Sequence, residues 1–194
     1  MFLDGEFAFR LARIVAAWLH VGMVLTDEKI NQLTQQDAVE EAHRNAIKLL
    51  SYRPRSEAEL TRRLADKGYT DEQIHAVLDR LRRAGLVGDE QFAQAWVDNR
   101  QTFRPRSRRM VTSELRHKGV TDEAIEQALS QLPDEETLAY QTAKRYANRL
   151  DGLDWESFRR KLAGHLGRKG FGYETIAPIL KQVWIESREE AREN

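Results

Sequence analysis

The chain has 194 residues, 41% hydrophobic and 32% charged; 31 basic and 31 acidic side chains give a formal net charge of zero, and there is no cysteine. That composition excludes an intrinsically disordered chain, disulfides and thiolate metal sites, and it suits a reducing cytoplasm, where the chain is expected to work. The most apolar stretch, Leu11 to Leu25, carries Arg13 and His20 and is shorter than the roughly 20 residues of a spanning helix; acidic Asp4 and Glu6 stand where a signal peptide is basic. No membrane span or signal peptide is expected.

Residues 1–36 read as a short α/β appendage. Phe7, Phe9 and Leu11 alternate in a strand-like run, after which Ile14, Val15, Trp18 and Leu19 take helical spacing. From Asp37 the pattern is helical: Asp37 with Glu40 three residues later suits a capped start, Val39, Ala42, Ala46, Leu49 and Leu50 form one face, and Arg53-Pro54 ends it. A second helix opens at Ser56 with Glu59 in the capping-box position, turns Leu60 and Leu64 inward and stops at Lys67-Gly68. A third opens at Thr70 with Gln73, carries Ile74, Val77, Leu78 and Leu81 on its apolar face, and ends at Gly85.

The next stretch of chain repeats this unit. Leu64-Ala65-Asp66-Lys67-Gly68-Tyr69, Leu115-Arg116-His117-Lys118-Gly119-Val120 and Leu166-Gly167-Arg168-Lys169-Gly170-Phe171 are each displaced by 51 residues from the copy before. Arg53-Pro54-Arg55-Ser56 returns as Arg104-Pro105-Arg106-Ser107, and Ile74, Ile125 and Ile176 keep the same offset, as do Leu78, Leu129 and Leu180. A fixed period means one supersecondary unit used in tandem, which places function on surfaces the units share rather than in a buried catalytic pocket. The expected fold is all-α, an elongated and curved array of three-helix repeats with period 51 behind the appendage. The boundaries are 1–36, 37–87 for repeat 1, 88–132 for repeat 2, 133–186 for repeat 3 with Pro133 in the first turn of its leading helix, and a frayed, charged tail at 187–194.

Charge is the sharpest functional signal. Arg100, Arg104, Arg106, Arg108, Arg109, Arg116 and Lys118 fall within nineteen residues with Glu114 the only acid among them. On a neutral background such clustering orients a field toward an acidic protein face or a phosphate backbone. Arg53, Arg55, Arg159, Arg160, Lys161, Arg168 and Lys169 occupy equivalent or nearby places in the flanking repeats, so a stripe is expected; a solvated charged face is the plainer alternative. The lysine of each Lys-Gly pair offsets the negative end of its helix while the glycine supplies the left-handed C′ conformation, a structural role that leaves the ammonium exposed for contact.

Other chemistry has little support. Phe92, Trp96, Trp155 and Phe158 read as core, and only Tyr52 and Phe103, each just before Arg-Pro, are placed to stack on bases. The histidines His20, His43, His75, His117 and His165 have no ligand spacing, so no metal is expected, and no phosphate loop or nucleophile motif calls for a cofactor or an enzyme. Taken as a DNA-reading helix-turn-helix, Ser56–Gly68 with Thr70–Arg83 would lead with acidic Asp71 and Glu72, which phosphates repel.

The combination of Ser56-Glu57-x-Glu59-Leu60 with Leu64-x-x-Lys67-Gly68-Tyr69, then Leu81-x-x-x-Gly85-Leu86-Val87-Gly88-Asp89-Glu90-x-Phe92-Ala93, closely resembles the RecX family of recombinase regulators. The resemblance covers about residues 38–186. It implies an elongated array of three-helix repeats, a monomer, that binds the RecA nucleoprotein filament and restrains its assembly, ATP hydrolysis and strand exchange without catalysis of its own. It fixes no arginine as the contact. From the charge reading, the expected partner-binding set is Arg53, Arg55, Arg104, Arg106, Arg108, Arg109, Arg116, Lys118, Arg159, Arg160, Arg168 and Lys169. Two readings stand beside it: a protein that grips single- or double-stranded DNA phosphates directly through the arginines, and an unrelated helical adaptor.

Overall fold

The computed structural model describes residues 1–3 and 6–193. Asp4, Gly5 and Asn194, the last of which ends the expected tail, lie outside them.

Two two-residue strands, β1 (Phe2–Leu3) and β2 (Glu6–Phe7), pair antiparallel, with Phe2 opposite Phe7. A single turn of helix, α1 (Arg13–Ala16), follows. The appendage is therefore α/β as its pattern suggests, but the strand stops at Phe7 instead of running on to Leu11.

Helix α2 (Asp27–Tyr52) starts ten residues before the expected cap at Asp37. Thr26 caps it, its hydroxyl accepting the Lys29 N–H at 3.3 Å, and Asp27 and Glu28 place negative charge in the first turn. Asp37 sits mid-helix, where its carboxylate accepts the Ala12 N–H and ties the appendage to α2. An Asp-x-x-Glu pattern is common inside acid-rich helices, so it does not by itself mark a start.

Helices α3 (Glu57–Ala65) and α4 (Asp71–Arg83) fall where the caps place them. Ser56 accepts the Glu59 N–H at 3.2 Å, and Thr70 and Gln73 form a reciprocal capping box. These helices pack with α2 around Ala42, Ala46, Leu60, Leu64, Ile74, Val77, Leu78 and Leu81, which are almost wholly buried. Each fully buried leucine contributes about 1.5–3 kcal/mol relative to exposure.

From Asp89 onward the chain forms a second compact unit, separate from the one that ends at Gly88. It comprises α5 (Asp89–Phe103), α6 (Arg108–His117), α7 (Asp122–Ser130), α8 (Glu135–Ala147), α9 (Trp155–Arg168) and α10 (Tyr173–Glu193). One continuous core, including Val97, Leu115, Ile125, Ala143, Phe158, Leu162 and Leu166, serves both of its three-helix repeats. Helix α8 begins just beyond Pro133, with Asp134 as its cap. Helix α10 runs through the expected tail to Glu193, and the Arg188 guanidinium lies 4.2 Å above the Trp184 ring while donating to the Leu153 carbonyl. Those contacts tie Arg188, inside the expected tail, to the residues around it.

The three Lys-Gly words end α3, α6 and α9 in the same way. Gly68, Gly119 and Gly170 have φ of 89°, 75° and 94°, and the following N–H of Tyr69, Val120 and Phe171 returns to the carbonyl of Leu64, Leu115 and Leu166 at 3.4, 3.1 and 3.3 Å. This is the 6→1 bond of a Schellman ending, and it brings an apolar side chain back over the leucine it closes on.

Candidate functional site

In the first unit the Arg53 guanidinium donates two parallel bonds of 3.0 Å to the Glu59 carboxylate, a residue only 6% exposed. Hydrogen bonding to Glu59 raises the Arg53 pKa above its already high value. Arg55 donates through Nε to the Leu49 carbonyl at 3.1 Å and so closes the end of α2; burial lowers its pKa, as does neighbouring Arg53.

The second unit uses several of its cations in the same fashion. Arg106 donates to the Arg168 carbonyl at 3.1 Å, and Arg108 to the Leu132 and Pro133 carbonyls at 3.0 and 3.1 Å. Arg116 pairs with Asp122 at 2.8 Å and Arg159 with Glu156 at 3.0 Å. Lys118 lies 5.4 Å above the Trp96 ring. Glu114 accepts from Arg100 at 2.6 Å and from the Trp96 indole at 2.8 Å, and lies 3.7 Å from Arg106.

Among the described residues, Arg104, Arg109, Arg160, Arg168 and Lys169 are the members of the expected set whose side chains make neither an ion pair nor a hydrogen bond. Three of these come together. The Ser107 N–H donates to the Lys169 carbonyl at 3.0 Å, and Gly170 fits so closely against α6 that an added Cβ would lie 2.5 Å from the Ser107 hydroxyl. This contact brings the end of α9 to the start of α6, so Arg104, Arg106, Arg168 and Lys169 share one neighbourhood. The Lys169 pKa is lowered by burial first and then by Arg106, Arg104 and Arg100. Arg159 and Arg160 instead flank an open groove between α9 and α10 with Lys181 and Tyr173.

Sequence reading passed over Arg145 and Arg149 and weighed His165 only as a metal ligand; the three line a hollow with Lys169. Arg145 lies on α8, Arg149 just past its end and His165 in the last turn of α9, and only the packing of those helices unites them. The exposed aromatics were legible: Tyr52 and Phe103, 51 residues apart and each followed by Arg-Pro, are both 73% exposed. No helix of the described residues is long and apolar enough to cross a membrane, and none of their acidic, histidine or cysteine side chains group as metal ligands.

The architecture defines a helical repeat protein, three tandem three-helix domains behind a small appendage. Family profiles described as the first, second and third three-helix domains of RecX match residues 42–81, 89–129 and 134–180. The chain is 34% identical over 162 residues to the Regulatory protein RecX of Amycolatopsis mediterranei (strain U-32), covering 80% of this chain and 93% of that one. To the Regulatory protein RecX of Streptomyces coelicolor it is 36% identical over 157 residues, 80% of this chain and 84% of the relative. A crystal structure of regulatory protein RecX superposes with a TM-score of 0.74 at 25% identity, covering 92% of each chain. This chain belongs to the RecX family.

Proposed function

We propose that this protein regulates RecA by binding the nucleoprotein filament and restraining its recombinase and ATPase activities, and through them DNA repair and the SOS response. It does so as a cytoplasmic monomer and without chemistry of its own. The observation that carries the reading is the match of all three helical domains to the RecX family. The charge distribution supports it: Arg104, Arg109, Arg160, Arg168 and Lys169, without side-chain partners among the described residues of a neutral chain, suit a partner surface rich in acids. A filament repeats one protomer many times, so several weak contacts from related domains of one chain combine through effective concentration.

The test is a steady-state ATPase assay of the cognate RecA on single-stranded DNA with added protein, in which binding is verified by co-sedimentation. Turnover falls as the protein saturates the filament. Full turnover on a filament carrying the bound protein would remove the inhibitory reading.

A second reading, direct contact with nucleic-acid phosphates, is favoured by Tyr52 and Phe103, because a large aromatic left exposed beside an arginine is suited to stack on a base. Titration of free single-stranded DNA against preformed filament at two salt concentrations separates the two readings.

A further inference from the structure

The hollow lined by Phe103, Arg145, Tyr146, Arg149, His165 and Lys169 has a volume of about 330 Å³ and is built from the end of α5, from α8 with the residues just past it, and from α9. Its charge is one-sided. Burial lowers the His165 pKa, and every charge acting on that ring, Lys169, Arg168 and Arg149, is positive and lowers it further. The Lys169 pKa is likewise lowered, by burial first and then by Arg106, Arg104 and Arg100. Arg149 and Lys169 make no ion pair among the described residues, and Arg145 makes only a long 3.5 Å bond to the Gln101 carbonyl.

The equivalent place in the preceding repeat is neutralised. Position 114, which is 51 residues before His165, is Glu114, and it receives Arg100 and the Trp96 indole. With histidine in place of that acid, position 165 supplies no carboxylate to offset the gathered cations. Like charges held together around a concavity repel one another in the empty protein, and that repulsion is relieved when an anion enters. The number of cations selects the anion. One carboxylate is satisfied by one guanidinium, whereas a phosphate ester offers several oxygens and up to two charges to Arg145, Arg149 and Lys169 together.

The walls supply a second feature. The Tyr146 ring stacks on His165, with centroids 3.8 Å apart and planes at 12°, and Phe103 is 73% exposed at the rim. A flat exposed ring beside phosphate-binding cations is what a nucleobase stacks on.

We propose that this hollow is a nucleotide-binding site, in which Arg145, Arg149 and Lys169 hold the phosphate and Phe103 stacks on the base. The ligand is a free mononucleotide or one nucleotide of a single strand. The inference deepens the reading of direct contact with nucleic-acid phosphates and does not rest on the filament reading, so either of these two can fail while the other stands.

The full chain is titrated with inorganic phosphate, with dTMP and with a short oligo-dT, and the His165 ring resonances, assigned with His165→Gln, are followed by NMR. Acidic peptide serves as the carboxylate probe. Nucleotide shifts the His165 signals and raises the pKa of the ring, because an adjacent anion favours its charged form. Arg149→Gln with Lys169→Gln weakens this binding at least about tenfold while helical circular dichroism is kept, as the loss of charge-assisted hydrogen bonds requires. Phe103→Ala weakens dTMP but not inorganic phosphate. Response to both dTMP and oligo-dT allows either source, and response to oligo-dT alone makes the strand the source. Unmoved His165 signals with every phosphate probe, a response to acidic peptide alone, or unchanged affinity in the double variant would overturn the proposal.

Discussion

The same tetrapeptide, Arg-Pro-Arg-Ser, opens the second helix of repeats 1 and 2, and its charges have different fates there. In repeat 1, Arg53 is locked onto the buried carboxylate of Glu59. In repeat 2 the position equivalent to Glu59 is Met110, and the exposed Arg104 side chain has no ion-pair or hydrogen-bond partner among the described residues. The serines behave alike, each accepting the N–H three residues on as the helix cap. The tetrapeptide thus specifies a helix start, while residues outside it decide whether its leading arginine serves the fold or is left for a partner. Position 63/114/165 makes the same point, as Arg63, Glu114 and His165 in turn.

The largest expected effect separates two glycines that look interchangeable in sequence. Both have positive φ, 89° at Gly68 and 94° at Gly170, so alanine is strained at either. At Gly68 a Cβ meets nothing within 4 Å, and Gly68→Ala should cost about 1–2 kcal/mol from the left-handed conformation alone. At Gly170 the Cβ would also lie 2.9 Å from Met110 Cβ, and overpacking of this kind adds about 1–3 kcal/mol. Urea denaturation of the two variants measures the difference; equal losses would mean that α6 and α9 do not meet as described.

Next comes the fate of the paired and unpaired arginines. Arg53→Gln leaves Glu59 buried and half-satisfied, and because the Arg53 side chain is 45% exposed the loss should fall between the surface and buried limits, about 1–2 kcal/mol. Arg104→Gln should stay within about 0.5 kcal/mol of the parent. Thermal melts of both decide whether the repeats differ as the contacts indicate.

The smallest effect is a pH dependence. Burial lowers the folded pKa values of His43 and His165 below the usual 6.5. The unfolded chain therefore binds more protons than the folded one between those folded values and about 6.5, so stability is complete above that range and falls as pH drops through it. Denaturation midpoints at pH 7.5 and pH 5 should differ less in His165→Asn than in the parent. An equal difference would mean that His165 titrates alike in both states.

Most of the fold could be read from the chain because its signals are local. Ser56, Thr70 and the Lys-Gly pairs act on backbone groups within a few residues, and the spacing of Leu60, Leu64, Ile74 and Leu78 shows which faces are buried. The start of α2 misled because Asp37 and Glu40 mimic a cap, whereas Thr26 with Asp27 and Glu28 forms the real one. The contacts of Arg188 with Trp184 and Leu153 could not be read from the charged tail, because the one to Leu153 is tertiary. The site was least legible. Counting charges finds the arginines, but whether a guanidinium meets a carboxylate, a carbonyl or nothing depends on helices that are far apart in sequence. Arg106 on the Arg168 carbonyl and Arg108 on Leu132 and Pro133 are examples.

Those contacts also identify the cleanest probe of the proposed partner surface. Changing Arg106 or Arg108 would disturb helix ends, whereas the side chains of Arg104 and Arg109 are exposed and make no ion pair or hydrogen bond among the described residues. The most direct measurement is the affinity of Arg104→Glu/Arg109→Glu for preformed RecA filament, by fluorescence anisotropy at low and physiological salt, alongside its circular dichroism. Unchanged helicity with binding weakened by about 2–5 kcal/mol and a shallower salt dependence is the expected result. Unchanged affinity and salt dependence in a folded double variant would contradict the account, leaving these cations as a solvated face and the filament held elsewhere.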